Sequence, residues 1–341
     1  MILAGDVGGT KADFALFARR DGRLVELRRE RVPTEAWPAL EPLVERFLGK
    51  DLPHLSAAAI GVAGPVRDGR VVGTNLPFIV EARPLAALLG LPSVSLLNDL
   101  EATAHGLASL EPSDTRELHP GKIDPDGAAC VLAAGTGLGQ SFVVRGTPDP
   151  DRPDEPVPIV VHASEGGHAD YAPRTPLEWE LANWIAARHD GHASWERVLS
   201  GQGLANIYEF LRETGRADEP AWLAQARAEG DANAAIAAAD GKAPLATLTI
   251  DLFVDAYAAQ AGNLALTYLA SGGVFLAGGI APRLAARLSD GRFARAYVAK
   301  GRMSSLVASM PVRLVLNDRT ALLGAAAVAF RAASARRIPH A

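Results

Sequence analysis

Two stretches of this chain share one layout: an apolar run, a glycine turn, and a second apolar run. The first is residues 2–7, the turn Gly8-Gly9-Thr10, and residues 12–18; the second is residues 128–134, the turn Gly135-Thr136-Gly137-Leu138-Gly139, and residues 141–145. Adjacent glycines let a backbone turn tightly and bring N–H groups to a phosphate with no side chain in the way. Taken alone, the first turn reads equally well as an ordinary Gly-Gly hairpin. The pair is more specific, because two such turns, one per domain, could clamp a triphosphate from both sides. The second turn fits neither G-x-G-x-x-G nor G-x-x-x-x-G-K-[ST], which removes the dinucleotide-binding and P-loop readings.

The remaining pattern fits two α/β units. Residues 24–32 give a third strand after the hairpin signal Arg20-Asp21-Gly22-Arg23. Helical spacing follows at residues 38–48, then an apolar strand at 57–63, a hairpin turn at Asp68-Gly69, a helix near 82–89 and a strand at 93–97. Three antiparallel strands followed by strand–helix alternation predict a mixed sheet. A second unit begins near Ala128. Residues 147–158, dense in proline and acid, predict a long mobile hairpin tip. Residues 176–270 read as helix; strands at 273–276 and 312–316 and a helix at 320–331 close the chain.

At 341 residues the chain exceeds the usual single domain, and 48% hydrophobic residues supply ample core. A net charge of -5 argues against a nucleic-acid partner. No basic run marks a membrane-surface patch. The stretch 248–270 carries Asp251, Asp255, Gln260 and Asn263, too many polar groups for a spanning helix. The single cysteine, Cys130, lies in an apolar run and reads as a buried small hydrophobe in a reducing compartment. Residues 1–6 hold no basic segment and too short an apolar one for a signal peptide, so the expectation is a cytoplasmic protein.

Chemistry concentrates at four further places. Leu97-Asn98-Asp99 lies where a strand hands over to a helix, a usual location for ligand chemistry in open α/β sheets. Asp99 is there a candidate base or merely the N-cap of the next helix. Asp6 could orient water around Mg²⁺. Glu165-Gly166-Gly167-His168 has the spacing of two metal ligands, but its glycines disfavour a helix and no other cluster completes the set. One carboxylate and one imidazole suit a polyhydroxylated ligand, whose hydroxyls donate and accept. Glu196 is a second acceptor or a solvated helix charge. Ala277-Gly278-Gly279-Ile280 permits close approach of a flat group or tight helix–strand packing. No G-x-S-x-G elbow occurs.

Taken in order, Asp6-Val7-Gly8-Gly9-Thr10-Lys11, Gly61-Val62-Ala63-Gly64-Pro65, Thr74-Asn75-Leu76-Pro77, Leu97-Asn98-Asp99 and residues 135–139, 164–172, 196–203, 276–283 and 321–325 resemble the bacterial glucokinases of the non-zinc type, in the actin–hexokinase superfamily. The resemblance runs nearly end to end. It implies an α/β fold of two actin/hexokinase-like (ribonuclease H-like) domains with mixed sheets flanking a central cleft, the second with a helical insertion. Carried onto this chain, the small domain is 1–109 plus 318–341 and the large one 110–317. The resemblance implies phosphoryl transfer from MgATP to the 6-hydroxyl of glucose, with Asp99 as general base. It assigns Asn75, Asn98, Asp99, Glu165, His168 and Glu196 to the sugar. It assigns Asp6, Gly8, Gly9, Thr10, Lys11, Gly135, Thr136, Gly137, Gly278 and Gly279 to the nucleotide, with Asp6 near Mg²⁺ through water. A homodimer goes with this reading; its alternatives are a kinase for another hexose or an amino sugar, and a non-catalytic sugar sensor of the same fold. Three features depart from the family pattern: Lys11, Ala134, and residues 147–158, a tip longer and more acidic than usual. Lys11 stands where many members have asparagine. Gly-Gly-Thr-Lys is shared with the repressor/ORF/kinase group, but one cysteine cannot supply that group's zinc motif. Ala134 replaces a frequent proline.

Overall fold

The computed structural model describes residues 1–20, 23–49, 54–73, 76–146, 157 and 159–335. The chain divides into two compact units, the first built from Met1–Ser113, Val161–Ala163 and the residues from Asn317, the second from Asp114–Val160 and Ser164–Leu316.

The first unit opens with β1 (Ile2–Val7), β2 (Lys11–Arg20) and β3 (Arg23–Pro33), an antiparallel meander. Helix α1 (Leu40–Leu48) leads to β4 (Ala57–Val62), which lies parallel to β1. A small three-stranded sheet follows, β5 (Val66–Arg67), β6 (Arg70–Val71) and β7 (Val80–Glu81). Helix α2 (Ala82–Leu88), strand β8 (Ser95–Asn98) and helix α3 (Asp99–Gly106) complete the unit's first segment. The main sheet runs β3-β2-β1-β4-β8. One face, with Leu3, Val7, Phe14 and Ile60, meets Leu40, Leu43, Val44 and Phe47 of α1. Their 3–4 spacing is the apolar stripe that made this segment legible as helix. The other face is lined by Ala4, Ala15, Ala57 and Ala59, and the C-terminal helix lies on it through Leu322, Ala325, Ala326 and Ala329. Alanine against alanine lets helix and sheet approach closely.

The second unit holds β9 (Thr115–His119), β10 (Ala129–Ala134), β11 (Leu138–Arg145) and β12 (Ile159–Ser164). Five helices follow: α4 (Pro176–Ala186), α5 (Gly201–Glu213), α6 (Ala221–Glu229), α7 (Ala232–Ala238) and α8 (Pro244–Tyr268). Then come β13 (Gly273–Ala277), the short helices α9 (Ala285–Leu288), α10 (Arg292–Val298) and α11 (Ser304–Ala308), and β14 (Val312–Val315). Helix α12 (Thr320–Ala335) belongs to the first unit. The second sheet runs β12-β11-β10-β13-β14-β9. Helix α8 is the spine of its core: Tyr257 is fully buried, and its hydroxyl donates to the Leu132 carbonyl of β10 at 3.1 Å. Pro244 opens α8 in the first turn, where its missing N–H costs nothing. Cys130 is fully buried, and burial pushes its thiol up to about 12.

The structure corrects several sequence expectations. The second unit starts earlier than Ala128, with β9 as an edge strand, and β12 forms the opposite edge. Both are short strands with several exposed positions, and neither is buried along its length. Strand β8 extends to Asn98, one residue past the apolar stretch. The tip expected at residues 147–158 lies outside the described residues except for Val157. Among the described residues no helix is long and apolar enough to cross a membrane.

Candidate active site

In the first unit, the parallel strands β1, β4 and β8 end together: Val7 pairs with Val62, and Val62 with Asn98. Asp6, Gly61, Asn98 and Asp99 therefore share one edge of the sheet, the edge where open α/β folds bind ligands. Asn98, not Asp99, is the N-cap of α3; its Oδ1 accepts from the Leu100 N–H at 2.9 Å. The Asn98 Nδ2 donates to the Gly64 carbonyl at 3.0 Å. Asp99 is the first residue of the helix, and its Oδ1 accepts from the same Leu100 N–H at 2.9 Å. The side chain is reachable from solvent, yet the surrounding protein raises its pKa by desolvation. Hydrogen bonds from Leu100, its own backbone and Asn98 offset part of that rise. The result is a carboxylate strengthened as a base and aimed by its cap.

Asp6 is raised to about 6, by desolvation first, then by the charges of Asp99 and Asp13. Asp13 is its cross-strand partner. Burial also pushes Asp13 up, but hydrogen bonds from Arg29 and Arg31 outweigh it and leave the carboxyl below its ordinary value. Arg29 contributes Nε at 2.8 Å and Nη2 at 2.5 Å, and Arg31 contributes Nη2 at 2.8 Å. Two neighbouring carboxylates thus differ sharply: Asp13 is hydrogen-bonded by two arginines, whereas at Asp6 burial and the Asp99 and Asp13 charges outweigh those of Lys11 and Arg31.

The Gly8–Gly9 turn has a support the sequence did not reveal. Thr34 is fully buried, and its hydroxyl is shared between the carbonyls of Gly8 at 3.1 Å and Gly9 at 2.5 Å. Its own N–H donates to the Thr10 carbonyl at 3.1 Å. In a trans peptide the N–H points opposite to the C=O. Pulling two carbonyls inward to Thr34 therefore turns the N–H groups of Gly9 and Thr10 away from the core, the presentation a phosphate needs. Thr10 and Lys11 are exposed beside them.

In the second unit, Glu165, His168 and Glu196 come together. His168 Nε2 lies 3.8 Å from Glu165 Oε2, and its Nδ1 lies 3.9 Å from Glu196 Oε1. Gly166–His168 forms a single 3₁₀ turn, so the glycines did not prevent helical geometry altogether. They are required by close approach: a Cβ at Gly167 would stand 2.1 Å from the Leu138 carbonyl, and one at Gly166 would stand 2.5 Å from Oε1 of the buried Gln140. Glu196 lies in a turn, not on a helix face. Its Oε2 accepts from the Leu138 N–H at 2.9 Å, and a Cβ at Gly137 would meet that oxygen at 2.6 Å. The Gly135 carbonyl accepts from the N–H of Gly201 at 2.9 Å, tying the turn to the start of α5.

Strand β13 runs parallel beside β10, and Gly278 follows it. At φ +83° this backbone favours glycine, and a Cβ would lie 2.3 Å from the Ala134 carbonyl. Gly279 is open. Gly135, Thr136, Gly137, Gly278 and Gly279 thus line one end of the second sheet. Asn75 lies outside the described residues. Among the described residues, no group of three or more histidine, cysteine or acidic side chains could hold a metal ion. Sequence reasoning missed Thr34 and Gln140, and neither belongs to a motif.

Two domains built on repeated strand–glycine turn–strand sheets define the hexokinase-like fold. A structure of glucokinase from an Antarctic psychrotroph shares it with a TM-score of 0.82 and 29% identity, covering 97% of this chain and 98% of that one. The family model described as Glucokinase matches residues 3–332. A glucokinase of Nostoc sp. is 38% identical across 97% of this chain and 99% of its own length. A Synechocystis sp. glucokinase is 39% identical across 96% and 97%. The chain belongs to the glucokinase family.

Proposed function

We propose that this protein transfers the γ-phosphoryl group of MgATP to the 6-hydroxyl of glucose, giving glucose 6-phosphate and ADP. The observation that carries the reading is Asp99, a solvent-reachable carboxylate at the first residue of the helix that Asn98 caps, placed at the sheet edge beside Asp6 and raised in pKa by desolvation. A sugar hydroxyl is a weak nucleophile, and phosphoryl transfer leaves the protein mainly positioning and electrostatics to supply. Asp99 accepts the hydroxyl proton as the new O–P bond forms, an effect typically worth about 10²–10⁴ in rate. Asn75, Asn98, Glu165, His168 and Glu196 bind the sugar hydroxyls, and holding one of them in line is potentially worth more than the base itself.

The N–H groups of Gly9 and Thr10 and the turn of Gly135, Thr136 and Gly137 receive phosphate oxygens. Gly8 and Lys11 complete the first turn, and Gly278 and Gly279 take the nucleoside. Asp6 is one carboxylate rather than a ligand cage. That suits a magnesium ion that arrives with the triphosphate and keeps most of its waters. A cation there would favour the ionised form of Asp6, whose pKa desolvation and the Asp99 charge raise to about 6 despite Lys11 and Arg31. The reading carries with it a cytoplasmic homodimer, with domains 1–109 plus 318–341 and 110–317.

The test is ADP release with MgATP against no sugar, glucose, mannose, fructose, N-acetylglucosamine and N-acetylmannosamine, for wild type and Asp99→Ala. Turnover with glucose that is lost in the variant, while glucose binding survives, supports the assignment. Turnover confined to another sugar, sugar-independent hydrolysis, or sugar binding without turnover would each overturn it.

A further inference from the structure

Helix α3 carries Asp99 but has little of its own to hold it. It spans 8 residues, and apart from Leu100 and His105 its buried positions are Ala102, Ala104 and Gly106. So few methyl groups bury little apolar surface. Its place is fixed instead by backbone contact on two sides. Toward the sheet, a Cβ at Gly61 would stand 2.9 Å from the Ala102 Cβ. Toward α12, a Cβ at Gly324 would stand 1.7 Å from the Ala102 carbonyl oxygen and 2.7 Å from the Gly106 nitrogen. One at Gly106 would stand 2.0 Å from the Thr320 carbonyl. Only glycine at 106 and 324 lets the two helices meet this closely.

Helix α12 is anchored separately from α3. Its small residues seal the alanine face of the sheet. Asp318 accepts from Arg31 at 3.0 Å, and Arg319 pairs with Glu26, so the segment leading into the helix is tied to β3. Asn317 Oδ1 accepts from the Arg319 N–H at 2.9 Å. Farther along, Arg331 donates to Nδ1 of His105 at 2.9 Å. Burial, with the nearby Arg331 charge, pushes His105 down to about 4, which keeps the ring neutral and able to accept.

We propose that α12 is a positioning element for Asp99: Gly324, packed on the Ala102 carbonyl, and Arg331, bonded to His105, set where the helix beginning with Asp99 stands. This rests on Asp99 being the base. Displacing a reacting group by about 1 Å can cost about 10² in rate. A side chain at 324 must push α3 away from α12 by a comparable distance.

The test compares wild type, Gly324→Ala, Arg331→Met and the double variant Gly324→Ala/Ala102→Gly, assayed well below their melting temperatures. Gly324→Ala is expected to lower kcat by about 10- to 100-fold with KM for MgATP within twofold of wild type. Arg331→Met lowers kcat about threefold, a loss near 0.6 kcal/mol. Ala102→Gly frees space against Gly61 for α3 to retreat into, which relieves strain but leaves Asp99 displaced, so the double variant regains none of the lost kcat. Amide hydrogen exchange speeds up in residues 99–106 while β1 and β4 stay protected. Should Gly324→Ala fail to fold, Arg331→Met and its exchange pattern decide alone. A folded Gly324→Ala with wild-type kcat overturns the proposal, as does exchange rising equally in α3 and the sheet, which would make α12 ordinary core. Asp99→Ala with normal turnover would remove the base itself; an inactive Asp99→Ala beside an unaffected Gly324→Ala would remove only the positioning role.

Discussion

In the first unit the turn after the opening strand is braced from behind by a hydroxyl; in the second it is braced by a carboxylate. The sheets around them are otherwise alike. Each has an antiparallel pair joined by the glycine turn, a third strand outside it, and two parallel strands on the other side, β3-β2-β1-β4-β8 and β12-β11-β10-β13-β14, to which the second sheet adds β9. The braces are not equivalent. Thr34 is fully buried and bonds only backbone of the turn, so its work is local and does not titrate. Glu196 is partly exposed, accepts from Leu138 with one oxygen, and faces His168 with the other. The second turn is therefore linked to the imidazole and carboxylate of Glu165–His168, whereas the hydroxyl that braces the first bonds only the carbonyls of Gly8 and Gly9. One turn is a fixture; the other is a coupling.

The largest consequence falls on Glu196. Glu196→Ala removes the acceptor of the Leu138 N–H and the neighbour of His168 together. A charge-assisted hydrogen bond is worth about 1.5–3 kcal/mol, so kcat/KM should fall by about 10- to 100-fold for glucose and measurably for MgATP in the same variant. Steady-state kinetics with each substrate varied separately checks this; loss confined to one substrate would break the coupling. Next comes Gly137→Ala, whose methyl would meet Glu196 Oε2 at 2.6 Å. Overpacking of this kind costs about 1–3 kcal/mol, so KM for MgATP should rise about tenfold. Gly8→Ala is the comparison in the other unit: its Cβ would have only ordinary contact, 3.5 Å from the Lys11 carbonyl, so its melting temperature should match that of wild type.

These contrasts mark what a sequence can carry. Both glycine turns, the buried strands before them and the Asn98-Asp99 handover were legible, because glycine pairs and apolar runs that stop abruptly leave local signals. Glu165, His168 and Glu196 were nameable singly, but their meeting depends on Gly166 and Gly167 passing against β11, a contact no spacing rule predicts. Thr34 was invisible for a different reason. It follows a strand like any other threonine, and its partners Gly8 and Gly9 lie 26 and 25 residues earlier. The edge strands β9 and β12 were missed because edges expose much of their length and so lack periodic burial. The fit of Gly324 on Ala102 joins residues from opposite ends of the chain, where only three-dimensional packing speaks.

The electrostatics of the first unit sharpen the comparison further. Asp6 has a folded pKa of about 6 against an ordinary 3.8, so between those values the folded protein holds a proton that the unfolded chain has lost. Stability from this group is therefore present below about pH 4 and is lost as pH rises through about 6, by up to ~3 kcal/mol. Asp6→Asn should raise the melting temperature above pH 6 and leave it nearly unchanged at pH 4, while KM for MgATP worsens. Thermal melts at both pH values test it, and equal shifts at the two would refute the ionisation account. Asp13 runs the other way: its lowered pKa gives stability that is present above the unfolded value and lost as pH falls through the folded one.

The smallest effect is the most discriminating. Thr34→Val keeps the side chain's shape and removes only the hydroxyl that Gly8 and Gly9 share. A neutral hydrogen bond is worth about 1 kcal/mol net, so KM for MgATP should rise about fivefold. KM for glucose should not move, because among the described residues no hydrogen bond of Thr34 reaches a sugar-binding side chain. The rise should also be the same from pH 6 to pH 8, since no titrating group takes part, whereas the Glu196 variants change both substrates together. If Thr34→Val also weakened glucose, the first turn would be as coupled as the second. The two braces would then differ in chemistry but not in role.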